Sequence, residues 1–180
     1  MLRIDVINYL STIDELDHSR LTDLEIMTVG GTDFLIGATR YDGVLQSWNI
    51  AGDALGLNDM LAFDGSLIAG GTGTITTLAL GTEMGLLIGG ATGDALQTVT
   101  VGPDGSFVTT TTLDPMPAVF AGFQHGMTVT LPTGQQAIYG GVVGQSGSGR
   151  IDLDTDGTFL GHSLLASPPD SYAAQISAMA

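Results

Sequence analysis

A unit of about 51 residues occurs three times along this chain of 180 residues. The apolar stretch at 34–38 reads FLIGA, LLIGG follows 52 residues later at 86–90, and AIYGG follows a further 51 residues on at 137–141. In each copy an apolar run and a polar turn precede this stretch, and a Gly-containing turn follows it. Units this short bury their apolar surface by stacking on one another, so the repeat predicts a chain of stacked modules.

Each copy contains four runs of strand length, rich in Thr, Val, Ile and Leu and separated by Gly or Asp-Gly. Four antiparallel strands in about 50 residues is the pattern of a β-propeller blade. The sequence predicts an all-β arc of three blades at approximately 21–66, 67–117 and 118–167, with the first strand of a fourth at 168–180. Residues 1–20 are predicted to dock or cap the arc. Because rings close with about four to eight blades, we expect a larger propeller.

The predicted second strands supply the expected core between blades. Six of their residues are expected to be buried there: Leu35, Ile36, Leu87, Ile88, Ile138 and Tyr139.

The run from Phe34 to Ile50, with Asp42-Gly43 between two strand segments, resembles the blades of bacterial lactonase-like propellers. It is also similar to the propeller repeats at the head of large bacterial secreted or surface proteins, some of which carry RTX-type calcium-binding repeats further along. The resemblance covers residues 21–180 and implies the architecture. It implies no catalytic residue, because no motif of a propeller enzyme is matched.

The charge balance excludes several kinds of partner. Asp and Glu number 19 against four Arg and no Lys, giving a net charge of -15, which repels nucleic acid and anionic lipid surfaces. There is no Cys, and therefore no disulfide or thiolate site. No apolar run has the length of a membrane span, and the N-terminus does not read as a secretory signal peptide. We expect a location outside the cell or on a particle surface, reached without that signal.

One acidic motif suggests a metal. Asp152, Asp154 and Asp156 form an Asp-x-Asp-x-Asp-Gly run, the front half of an EF-hand calcium loop. The back half is missing, because Leu160 and Ser163 occupy the ninth and twelfth positions, where donors are expected. The alternative is a hairpin in which the Asp-Gly pair forms the turn, and the sequence favours it over calcium. No other cofactor is indicated.

His125 is a weak candidate for a ligand contact near a central channel, in the segment before the third blade's first strand. The alternative, a histidine satisfied within a turn, is favoured. His162 is expected at the surface, and Trp48, the one Trp, is expected to pack between blades rather than to stack on a sugar. No residue is assigned a catalytic role.

Two classes of function remain open. The favoured one is a non-catalytic module for structure or attachment, in an adhesin-like surface or secreted protein or in a tail fibre or spike of a virion. It predicts a protein partner at residues 1–20 or at the open blade flanks, carbohydrate as a further candidate ligand, and a larger chain or an oligomer. The second class is an enzyme, with the chain as part of a lactonase-like hydrolase. A calcium-stabilised secreted protein of RTX type is a further alternative.

Overall fold

The computed structural model describes residues 21–39, 43–52, 54–63, 72–90, 96–113, 123–142 and 147–166. Within these ranges the chain forms twelve β-strands and no helix. The strands are β1 (Leu21–Val29), β2 (Thr32–Thr39), β3 (Val44–Ala51), β4 (Ala54–Ala62), β5 (Thr72–Leu80), β6 (Glu83–Gly90), β7 (Leu96–Val101), β8 (Phe107–Leu113), β9 (Phe123–Thr130), β10 (Gln136–Val142), β11 (Gly147–Leu153) and β12 (Phe159–Ala166). In this part of the chain no helix is present that could cross a membrane.

The twelve strands form three antiparallel sheets of four strands each. Sheet 1 contains β1–β4, sheet 2 contains β5–β8 and sheet 3 contains β9–β12, and within each sheet every strand pairs with the next along the chain. The predicted all-β fold with three four-stranded units is therefore confirmed, although the sheets do not close into a ring. The predicted boundaries near 66 and 117, and the predicted segments 1–20 and 168–180, lie outside the described residues.

Strand register assigns each residue to one of two faces, because residues paired across neighbouring strands lie on the same face. We call the side toward the next sheet along the chain the forward face and the opposite side the rear face. The central rear row is Ile26–Leu35–Trp48–Leu57 in sheet 1, Thr77–Leu86–Val99–Thr110 in sheet 2 and Thr128–Ile138–Ile151–His162 in sheet 3. The central forward row is Glu25–Ile36–Ser47–Asp59, then Thr76–Leu87–Thr98–Thr111, then Met127–Tyr139–Arg150–Ser163.

These rows correct the register of the repeat. Leu35 is equivalent to Leu86 and Ile138, so the first step is 51 residues and not 52. A slip of one residue exchanges the two faces of a strand, and the uninterrupted apolar run Leu86–Ile88 fits either register. The sequence pattern alone therefore matched the wrong one.

Four of the six expected core residues, Ile36, Leu87, Ile88 and Ile138, are buried between sheets. Leu35 is buried on the rear face of sheet 1, which no described sheet covers, and the sixth residue is a correction. Tyr139 is only half-buried. It lies on the forward face of sheet 3, which no described sheet covers, whereas Ile138 on the rear face is fully buried against sheet 2.

The sheets stack in chain order through their first strands, with β1 beside β5 and β5 beside β9. Two apolar cores result. The core between sheets 1 and 2 includes Met27, Phe34, Ile36, Leu45, Leu86, Ile88 and Val99. The core between sheets 2 and 3 includes Leu78, Leu87, Leu96, Phe123, Ile138, Ile151 and Leu153. Sheet 2 is therefore covered on both faces, and the alternation of apolar and polar residues in its strands gives way to continuous burial in β6.

Side chains from both neighbours bind the free edge of β5. Asp23 Oδ2 of sheet 1 accepts hydrogen bonds from Ile75 N at 2.9 Å and from Thr74 Oγ1 at 3.1 Å. From sheet 3, the amide of Gln136 accepts from Ala79 N at 2.8 Å and donates to Ala79 O. These bonds satisfy partly buried backbone groups that β6 does not reach.

The Asp-Gly turns between the last two strands of sheets 2 and 3 rest on the preceding sheet. A Cβ added at Gly105 would overlap the ring of Phe34 in sheet 1, and one added at Gly157 would overlap the side chain of Leu80 in sheet 2. Both glycines have positive φ, of 77° and 87°. Glycine is thus required at these two turns by backbone conformation and by close approach.

The rear face of sheet 1 is apolar and buried at its centre. Leu35 is 3% exposed and Trp48 is 0% exposed, and Leu21, Ile50 and Leu55 pack against them. Trp48 occupies the position of Val99 and Ile151 in the rear rows, as the sequence predicted. Its expected packing between blades stays a prediction, because no described sheet covers this face. Trp48 is not available for stacking on a sugar.

We expect Gly105→Ala to destabilise the chain more than Gly31→Ala does. Gly31 also has positive φ, of 83°, but open space surrounds its Cβ position. Both variants carry the cost of a left-handed Ala, about 1–2 kcal/mol, while only Gly105→Ala also collides with Phe34 and adds roughly 1–3 kcal/mol. Urea unfolding of both variants measures the difference, and equal destabilisation would show that the turn does not rest on sheet 1.

Candidate functional site

A β-bulge occurs in the first half of the first strand of every sheet. The register shifts by one residue between Leu21 and Asp23, between Thr72 and Thr74, and on β9 opposite Tyr139 and Gly141. The extra residues of sheets 1 and 2, Thr22 and Gly73, are 51 residues apart, whereas in sheet 3 His125 and Gly126 lie opposite Gly140. Bulges re-aim side chains and often lie beside functional sites. We therefore take these three bulges, called the bulge row below, as the candidate site.

His125 lies within β9 and not in a loop before it, which corrects the sequence-based expectation. It is exposed and is the one non-glycine residue with positive φ, of 53°, among those described. Next to it, the backbone of Gly126 approaches Thr76 so closely that a Cβ there would overlap Thr76 Oγ1. The bulge is thus held against sheet 2, and His125 occupies a strained conformation that places its side chain at the surface.

The carboxylates near this row are bound to the neighbouring sheet. Asp23 accepts its two bonds from sheet 2 and a third, at Oδ1, from Leu24 N at 3.0 Å. Glu25 Oε1 accepts from Thr77 Oγ1 at 3.3 Å, and burial raises the pKa of Glu25 above its ordinary value, with the Thr77 hydrogen bond acting against that rise. Both carboxylates act as structural acceptors at the junction of sheets 1 and 2.

The three aspartates of the calcium hypothesis are each engaged locally. Asp152 Oδ1 binds Arg150, at 2.8 Å from Nε and 2.6 Å from the nearer terminal nitrogen. Asp154 Oδ1 accepts from Thr155 N at 2.8 Å. Asp156 Oδ1 accepts from Thr158 N at 2.9 Å, and the hydrogen bonds from Thr158 lower the pKa of Asp156.

This arrangement is the hairpin that the sequence favoured. Gly157 N closes the turn on Asp154 O at 3.0 Å, while Ile151 and Leu153 on either side of Asp152 are fully buried. Asp104 plays the corresponding part in sheet 2, where Ser106 binds it through N and Oγ and lowers its pKa. No group of three His, Cys, Asp or Glu side chains suited to a metal occurs in the ranges described, and the calcium hypothesis stays a prediction.

His162 lies on β12, the outermost strand of sheet 3, where it is exposed and stacks on Phe159 with ring centroids 6.1 Å apart. Its predicted place at the surface is confirmed. The structure does not bring His162 into the bulge row, because His162 is on the last strand of the sheet and His125 on the first.

A polar cluster on the forward face of sheet 3 was missed from the sequence. Arg150, paired with Asp152, lies over the ring of Tyr139 at 5.7 Å from its centroid. Its row equivalents, Ser47 and Thr98, are small and buried beneath the next sheet. The alternation of Arg150, Ile151 and Asp152 is the signal in the sequence for a strand with one charged face.

No protein-family model matches the sequence, and neither does any curated protein.

We expect His125→Gly to be more stable than His125→Ala by about 0.5–1 kcal/mol, because relief of left-handed strain exceeds the added entropy of an unfolded glycine. Urea unfolding provides the measurement. Thr130, an exposed residue of the same strand, serves as the control, and there Gly should be less stable than Ala. The same order at both positions would contradict strain at His125.

We expect Asp154→Asn to leave the melting temperature unchanged or slightly higher, because it reduces repulsion among three nearby carboxylates. Millimolar calcium should add little beyond magnesium at equal ionic strength. A calcium-specific rise of several degrees that disappears in Asp154→Asn would make this hairpin a metal site.

Proposed function

We propose that the three sheets are consecutive blades of a propeller-like arc that belongs to a larger assembly. Support comes from the order of stacking, from the matched rows and from the bulge that recurs in each first strand. In blades of this kind the first strand lies innermost and the fourth outermost. The most exposed strands here are β4, β8 and β12, the fourth strands of their sheets.

We propose further that the arc is a non-catalytic module for structure or attachment in a secreted, cell-surface or fibre assembly. The main support for this proposal is that polar side chains at the sheet junctions are occupied in binding the neighbouring sheet. Asp23, Asp59, Thr128 and Gln136 each bind backbone of a neighbouring sheet, so the chain commits these groups to stacking. A catalytic site of the hydrolase type needs carboxylate and histidine groups that are free to reach a substrate.

The exposed surface favours a protein partner over a sugar. Carbohydrate sites commonly use an aromatic ring as a platform, and Trp48 is buried. The outer strand β8 presents instead four consecutive exposed threonines, Thr109–Thr112, beside Val108. Hydroxyls and small apolar groups on an open sheet edge suit contact with an extended protein segment.

One observation supports the alternative of a lactonase-like hydrolase. His125 is exposed and strained on the strand that lies innermost in the proposed arc. A polar contact to a substrate in the central opening would use a residue at this place.

Hydrolysis of a panel of lactones and esters separates the two functions. A structural module should give no turnover that depends on His125, so the intact chain and His125→Ala should match the buffer background. Turnover that the intact chain shows and the folded His125→Ala variant lacks would overturn the proposal in favour of the hydrolase.

A second experiment tests attachment. Beads densely coated with the chain are placed on surfaces that carry immobilised proteins or glycans. We expect retention on protein surfaces, unchanged by chelation of divalent cations. Retention on glycans alone would reassign the ligand class, and retention that requires calcium would support the RTX-type alternative.

A further inference from the structure

The forward face of sheet 3 differs from the forward faces of sheets 1 and 2. Those two faces are covered by the next sheet and hold the two apolar cores. On sheet 3 the corresponding face leaves Met127 58% exposed, Val129 40% and Leu165 40%. Register places all three on the same side as Tyr139 and Arg150. The face therefore has an exposed apolar rim and a charged, partly exposed centre, while Ala137 on the same side is fully buried.

The charged centre is self-complementary. Arg150 and Asp152 are two residues apart on β11, with the rear-facing Ile151 between them. A two-fold axis passing near Ile151 places Arg150 of one copy opposite Asp152 of the other, and the same contact occurs twice. We infer that this face binds a second copy of the chain, face to face, with Arg150 and Asp152 forming a four-charge cluster flanked by Met127, Val129 and Leu165.

Charge permits two copies of the chain to meet at this face. The chain carries a net charge of -15, and two copies repel one another over most of their surfaces. Arg150 is the one cation among the described residues, and its pairing with Asp152 makes the centre of this face neutral. Repulsion between copies is therefore reduced where the two faces meet.

The size of the face is sufficient for a weak dimer. Four strands of seven or eight residues span about 500 Å² of sheet, so two copies bury about 1,000 Å², at the lower end of specific interfaces. Head-to-tail stacking would need the rear face of sheet 1, where Leu35 and Trp48 are buried but Ile26, Leu57 and Met60 are exposed. The central row of that face is wholly apolar and would leave the Arg150–Asp152 pair without a polar partner. The inference does not depend on the proposed attachment function, since it rests on this face alone.

Sedimentation velocity of the 180-residue chain in 0.15 M salt, over a range of concentrations, tests the inference. We expect a reversible dimer. Arg150→Asp places like charges opposite one another and should weaken association by at least about tenfold. The exchange of both charges, Arg150→Asp with Asp152→Arg, should restore it, because opposite charges again face each other. A chain that stays monomeric at about 100 μM, or a double variant no better than Arg150→Asp, would overturn the inference.

Matched methionines provide the control. Met127→Glu lies on the proposed interface and should abolish the dimer, whereas Met60→Glu, of similar exposure on the rear face of sheet 1, should leave it intact. Melting curves confirm that each variant is folded. Loss of association in Met60→Glu, or growth beyond two copies, would indicate head-to-tail contact and refute the face-to-face dimer. If the coated beads are retained but the chain stays monomeric, only this inference is overturned. If the chain dimerises and also shows hydrolysis that depends on His125, only the proposed function is overturned.

Discussion

The free edge of β5 is the place where the stacking of the three sheets is fixed. Alternate residues of this strand, Ile75, Thr77 and Ala79, turn backbone groups away from β6 and toward the neighbouring sheets. These groups lie at partly buried junctions, and each one left unsatisfied where water is excluded would cost up to roughly 1–3 kcal/mol. Asp23 approaches from one side and Gln136 with Thr128 from the other. A sliding motion of either sheet would break several of these bonds at once, so apolar burial supplies the attraction and the edge sets the position.

Carboxylates at such a junction carry an electrostatic cost. Burial raises the pKa of Glu25, and the nearby Asp23 charge raises it further, against the Thr77 hydrogen bonds that lower it. Because the folded pKa lies above the ordinary value of 4.5, the contribution of Glu25 to stability is greatest below that value and falls as pH rises through the folded pKa. At neutral pH the junction of sheets 1 and 2 is therefore held by Asp23 and by apolar contact, with Glu25 acting in the opposite direction.

Twelve strands were predictable from the sequence because each is bounded by Gly or Asp-Gly and contains the residues that suit a pleated surface. The face of each residue was less predictable. In the run Leu86–Ile88 all residues are apolar and buried, since sheet 2 is covered on both sides, and the alternation that fixes register elsewhere is absent. His125 was placed in a loop because a left-handed residue inside a strand leaves no mark on hydrophobic periodicity. Arg150 and Asp152 were recognisable as one charged face, but their partners on β10 depend on pairing that only the folded chain defines.

The two ends of the stack are chemically different. The rear row of sheet 1, Ile26–Leu35–Trp48–Leu57, is wholly apolar, while the forward row of sheet 3 contains Arg150 beside Tyr139. Placing an ion pair against an apolar face removes it from water without new partners, which costs several kcal/mol per ion. Ser47 and Thr98, at the position of Arg150, are small enough to lie beneath another sheet. The residue at this one position of the repeat thus distinguishes a face built for stacking on an apolar sheet from a face that requires water or a charged, complementary partner.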